Sequence, residues 1–186
     1  MKKLMMFLAV ASIAVISQAA SIKWSASNIY NGNTTDKISG GAAYLFVDDG
    51  SITADSVAAY LGGSKTLSEK QTYLGNSLKS TTTSGTGTIN LTTDVSLADG
   101  TYDFFMVVFD SNPVTDSSKF FVSATLEDVA VTSVGTASIG FASQKTLSQN
   151  PANFSSVSGG GGVPEPTSAL LLLVGGALLS LRRKRA

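Results

Sequence analysis

Carboxylates are the groups this chain could turn to chemistry, because the usual partners are missing. Its 186 residues hold no His and no Cys. That removes Ser-His-Asp and Cys-His catalysis, His-ligated metals and thiol nucleophiles. No Lys has a Ser three residues before it, and Gly-x-Ser-x-Gly does not occur. Gly85-x-Gly87 lacks the third glycine of a dinucleotide loop, since position 90 is Asn. Asp48, Asp49, Asp99, Asp103, Asp110 and Asp116 remain, all placed near strand ends. Paired acids can hydrolyse glycosides, and loop acids can hold Ca²⁺ through oxygen. Asp48-Asp49-Gly50 and Asp110-x-Asn112-x-x-x-Asp116 are the cation candidates, but neither has EF-hand spacing. No spacing selects a catalytic pair, so the acids read as solvated turn formers. We therefore expect no catalytic residue, no metal site, no cofactor and a protein that is not an enzyme.

Aromatic side chains offer a second chemistry, the stacking of sugars. Trp24, Tyr30, Tyr60, Tyr73 and Tyr102 form that pool, with core packing as the plainer expectation for each. Asn33-Thr34-Thr35, Asn90-Leu91-Thr92 and Asn153-Phe154-Ser155 match the glycosylation sequon, and Ser80 to Thr88 is rich in hydroxyls.

More information lies at the two ends. Lys2 and Lys3 precede an apolar stretch from Leu4 to Ile16, followed by the small residues Ser17 and Ala19. This order reads as a signal peptide over residues 1–19, cleaved between Ala19 and Ala20. At the other end, Val163-Pro164-Glu165-Pro166-Thr167 leads into an apolar run from Ala169 to Leu181. Arg182-Arg183-Lys184-Arg185 follows it. As a helix the run would rise roughly 20 Å, short of the ~30 Å hydrocarbon core. Flanking cations can still hold such a span by snorkelling, and they orient the preceding domain outward. Pro164 and Pro166 lack an N–H and fix φ, which favours an extended, unpaired motif that a protease can bind.

Val163-Pro164-Glu165-Pro166, the apolar run and the basic cluster together resemble the PEP-CTERM sorting signal of Gram-negative bacteria. The resemblance covers residues 163–186 alone. It implies recognition by an exosortase-type processing enzyme, passage through the inner membrane and removal of the tail near the motif. It also implies delivery to the cell surface or an extracellular polysaccharide matrix.

Between the ends, residues 20–163 carry seven lysines, no arginine and twelve acids, an excess of about five negative charges. An acidic, Arg-free surface argues against nucleic acid and anionic membranes. The absence of Cys excludes a disulfide scaffold, so an apolar core must hold the domain.

Short apolar runs between Ser, Thr and Gly turns predict an all-β fold, an antiparallel β-sandwich over residues 20–154. Ile22 to Ala26 alternates, and Ala42 to Val47 is apolar on both faces, as a central strand requires. Ile89 and Leu91 alternate with polar residues. Thr101 to Phe109 is the strongest strand, with Phe104, Met106 and Val108 on one face and Phe105, Val107 and Phe109 on the other. Lys119 to Leu126 reads as one strand with Phe120, Val122, Ala124 and Leu126 inward; Val129 to Val131 and Ala137 to Phe141 supply the last strands. One short helix is expected, capped by Asp55, carrying Val57, Tyr60 and Leu61 on one face and stopped by Gly62-Gly63. It would plug an end of the sheet or lie across an edge. Residues 155–162 read as a Ser/Gly linker, and the apolar run as a C-terminal helix.

The expected function is structural or adhesive, at the envelope or in its matrix. A glycan-binding module and a carboxylate-dependent glycoside hydrolase are the alternatives.

Overall fold

A computed structural model describes residues 19–157. Among them are nine strands, three short α-helices and a 3-10 turn. The strands are β1 (Ala20–Ser27), β2 (Ala42–Asp48), β3 (Lys79–Thr82), β4 (Ile89–Val95), β5 (Gly100–Phe109), β6 (Lys119–Val122), β7 (Leu126–Val131), β8 (Thr136–Ser143) and β9 (Ser155–Ser156). The helices are α1 (Ala54–Gly62), α2 (Leu67–Leu74) and α3 (Lys145–Ser148).

The all-β, antiparallel expectation holds in its coarser part: the described residues are mostly strand, mostly paired antiparallel, with few helices. β4-β1-β8 form a three-stranded sheet; β3-β2-β5-β6-β9 form a larger one, with β7 also paired to β5. One pair departs from antiparallel: β1 and β8 run parallel, from Ser21↔Thr136 to Ser25↔Gly140.

Period-two alternation explains how the sheets meet. Ile22 and Trp24 of β1, Ile89 of β4 and Ile139 of β8 turn toward Leu45 of β2 and Phe104, Met106 and Val108 of β5, making one buried cluster. The opposite face of β5 (Phe105, Val107, Phe109) joins Phe46, Val57, Leu61 and Leu74 in a second cluster. This is why β5 is apolar on both faces: strands cover one side and helices the other. The two-face assignment of β5 therefore matches its surroundings, as does the central placement of β2 between β3 and β5. Each such fully buried side chain contributes roughly 1.5–3 kcal/mol.

Four expectations need correction. First, the helix over residues 54–62 is not alone, and it packs on the outer face of the large sheet rather than plugging an end. Its N-cap is Thr53, not Asp55: the Thr53 hydroxyl accepts from Ser56 N–H at 3.1 Å and the Ser56 hydroxyl accepts from Thr53 N–H at 2.8 Å. Asp55 sits in the first turn, where the helix dipole favours an acid. Second, α2 has its own capping box, in which Glu69 accepts from Thr66 N–H at 2.8 Å and Thr66 from Glu69 N–H at 3.3 Å.

Third, Lys119 to Leu126 is two strands. At the break, Ser123 N–H donates to Met106 C=O and Met106 N–H donates to the Ser123 hydroxyl, both at 2.9 Å. The side chain thus replaces a ladder carbonyl and lets β6 give way to β7 along β5. Phe120 and Phe121 are both buried, in the second and first clusters respectively, whereas Ala124 is exposed. Fourth, the fold continues past residue 154. Ser155 and Ser156 pair with Phe120 and Lys119, and Val157 is fully buried in the second cluster. The start of the expected linker is therefore structured. The motif at 163–167, the apolar run and the basic cluster lie outside the described residues.

Candidate functional site

Five of the six acids singled out for chemistry accept hydrogen bonds that hold loops and strand ends. Asp48 Oδ1 accepts from Gly50 N–H at 3.2 Å. Asp49 Oδ1 accepts from Ile52 N–H at 2.7 Å, Ser51 N–H at 2.9 Å and the Ser51 hydroxyl at 3.0 Å. These bonds, Ile52 first, hold the Asp49 carboxyl below its ordinary value. Asp99 receives Ser133, Asp103 receives Asp128 N–H at 2.8 Å, and Asp110 receives Lys119 N–H at 2.9 Å. Asp116 is exposed. Register sets Asp48 opposite Asp103 across β2 and β5, the one pairing among the six that the ladder creates. Among the described residues no group of three or more acids gathers as a metal site would require.

The aromatic pool divides more sharply. Trp24 is fully buried between the sheets, and its indole Nε1 has no partner among the described residues. It is core, so a Trp24→Ala variant would report on folding rather than on a ligand. Tyr30 carries the Lys37 ammonium 5.5 Å over its ring. The Tyr102 hydroxyl donates to Ala98 C=O at 3.0 Å. Tyr60 and Tyr73 stack on each other from α1 and α2, with centroids 4.0 Å apart and planes 16° from parallel. They border an open hollow of about 290 Å³.

A larger cleft of about 490 Å³ lies where α3 and the 3-10 turn (Pro151–Asn153) meet the break between β6 and β7. Phe141, Leu126 and Leu147 line it, with Asn150 and Asn153 among its polar groups. Asn153 Nδ2 donates to Leu147 C=O at 2.9 Å, and Asn150 Oδ1 accepts from Ala152 N–H at 3.0 Å. The Asn153 amide is thus committed within the fold. Asn33 is similarly committed, its Oδ1 accepting from Asp36 N–H at 2.6 Å and Thr35 N–H at 3.0 Å. Asn90 is exposed on β4.

No family model, curated protein or solved structure matches this chain.

At the termini of the fold, Ala19 is exposed while Ala20 is fully buried and opens β1 opposite Val95. The border between an accessible and a packed residue falls between those two. At the far end, the buried Lys70 ammonium donates to Val157 C=O, and Val157 N–H donates to Ser118 C=O at 2.9 Å. No helix among the described residues is long and apolar enough to cross a membrane.

Proposed function

We propose that this is an exported envelope or extracellular-matrix protein with a structural or adhesive role, sorted and processed through its C-terminus by an exosortase-type enzyme. We read its two facing sheets as a β-sandwich. The observation that carries the proposal is the order of elements in residues 163–186: Val163-Pro164-Glu165-Pro166-Thr167, an apolar run, then Arg182-Arg183-Lys184-Arg185. The ends of the fold support it. Ala20, the expected first residue after signal cleavage, is fully packed, and Ala19 before it is exposed. Packing extends to Val157, the last described residue, and residues 158–162 lie between it and the motif in the sequence. Five residues span at most roughly 17 Å, enough to present the motif beside the domain. The mature acidic surface and the hydrogen bonds that commit five of the six aspartates to the fold favour a non-catalytic role.

Intact mass of the protein recovered from its native envelope and medium tests this. A product beginning at Ala20 and ending near residues 163–167 is expected. A mass running through Ala186 would refute sorting and leave the apolar run as an anchor.

A further inference from the structure

α2 carries an aromatic ring, Tyr73, that packs partly against the second cluster and partly faces outward. Its core face is Leu67, Lys70 and Leu74, with Lys70 and Leu74 buried. Glu69, Thr72 and Tyr73 follow the i, i+3, i+4 spacing of another face, and Asn76 follows in the turn after the helix. Tyr73 is half-buried there and stacks on Tyr60, leaving the ring pair at the edge of the open hollow.

The rest of the hollow is built from exposed polar side chains: Ser68, Glu69, Thr72 and Asn76. Glu69 is fixed in place. Its Oε2 accepts from Thr66 N–H at 2.8 Å and from the Thr66 hydroxyl at 2.9 Å, while Oε1 lies 3.9 Å from the Lys65 ammonium. The Thr66 bonds hold its carboxyl below the ordinary range, so it is an ionised acceptor at neutral pH. The Thr72 hydroxyl donates to Ser68 C=O at 2.9 Å, which leaves its lone pairs to accept. An apolar ring surface flanked by a pre-oriented carboxylate, an amide and hydroxyls has a definite chemical complement: a molecule with one C–H face and a rim of hydroxyls.

We propose that the Tyr60–Tyr73 hollow is a binding site for a neutral polysaccharide. A sugar ring lies against the tyrosines, and its hydroxyls bond to Glu69, Thr72 and Asn76. Glu69 with Lys65 at 3.9 Å makes the rim neither strongly acidic nor strongly basic, which suits a neutral chain better than a uronic-acid one. The volume, near the lower end of the ~300–1,000 Å³ common for ligand clefts, suits one ring of a long chain. The inference deepens the matrix reading and rests on it only for where such a polysaccharide would be met.

Affinity electrophoresis of the full chain in mild detergent tests it, using native gels cast with mixed-linkage β-glucan, galactomannan, xylan or dextran, and with alginate as the acidic counterpart. Retardation by at least one neutral polymer and not by alginate is expected. Tyr73→Ala should abolish it. Asn76→Ala and Glu69→Gln, at exposed positions, should weaken it; the Gln can still close the capping box. About tenfold is the loss expected for Glu69→Gln, as for one charge-assisted hydrogen bond. The proposal is overturned by no retardation in any neutral gel, by preference for alginate, or by retardation unchanged in Tyr73→Ala and Glu69→Gln. C-terminal processing is read separately by mass, so failure here leaves that reading standing and the reverse.

Discussion

Phe105 is the most direct handle on the layered core. It is fully buried and lies parallel to Phe46, with centroids 5.3 Å apart and planes 5° from parallel. It belongs to the cluster that joins β2 and β5 to Val57 and Leu61 of α1 and Leu74 of α2. Truncation to Ala removes the ring from both the sheet and the helical layer, and a site bounded by strands collapses poorly. The cost is about 3–5 kcal/mol for a buried Phe, of which the stack with Phe46 is worth about 0.5–1.5. Unfolding entropy near 2.1 cal/mol/K per residue gives roughly 0.3 kcal/mol/K for a domain of this size. Phe105→Ala should therefore lower Tm by about 10–17 °C. Thermal unfolding by circular dichroism reads it, with Val134→Ala as control, since Val134 is 82% exposed and should move little. A Phe105→Ala shift no larger than that of the control would refute the reasoning that helices and strands bury β5 from both sides.

Gly41 lies at the approach to β2, where a Cβ would collide with Phe109 C=O and with Ile38 Cγ2; Gly41→Ala should cost about 2–3 kcal/mol, read by urea unfolding. Thr53→Ala removes the hydroxyl that caps α1 and should cost about 1 kcal/mol in the same assay. Asp49 and Glu69 both have folded pKa values below their ordinary 3.8 and 4.5. Their contribution is thus complete above those values and is lost as pH falls through the lower folded ones. Tm should drop on acidification below about pH 4.5, and the drop should be shallower in the double variant Asp49→Asn, Glu69→Gln, as differential scanning calorimetry would show.

Much of the fold was readable where period two was clean. Phe104 through Phe109 declared both faces of β5, and Ile22 to Ala26 declared β1. α2 was hidden because Lys70 occupies a core position, so its alkyl stem does the work of an apolar residue while its charge breaks the pattern. The Thr66-x-x-Glu69 capping box was the signal that could have found it. The break at Ser123 escaped because alternation continues through it; only the exchange with Met106 marks the change of strand. The parallel pairing of β1 and β8 has no local signature, since it joins residues more than a hundred positions apart. Trp24 is core, as the plainer expectation for the aromatic pool had it, and the Tyr60–Tyr73 hollow could not be seen because one of its two helices was not expected. Ser155 and Ser156 resembled linker by composition, although Phe154 before them and Val157 after them carry the apolar side chains that the fold packs.

The two ends of the domain differ in how they would carry mechanical load. β1 runs between β4 and β8, laced by seven register partners on one side and six on the other. β9 has two partners on a sheet edge, with Val157 held by Ser118 and Lys70. A domain anchored through its C-terminal side takes tension first at that short edge. Residues 155–157 would peel away before any longer strand is stressed, adding roughly 10 Å of slack while both sheets stay whole. Rebinding of Val157 in its apolar seat would restore the rest length. β9 is thus the shortest strand pairing on the C-terminal side of the described fold, and the first to part under tension applied there.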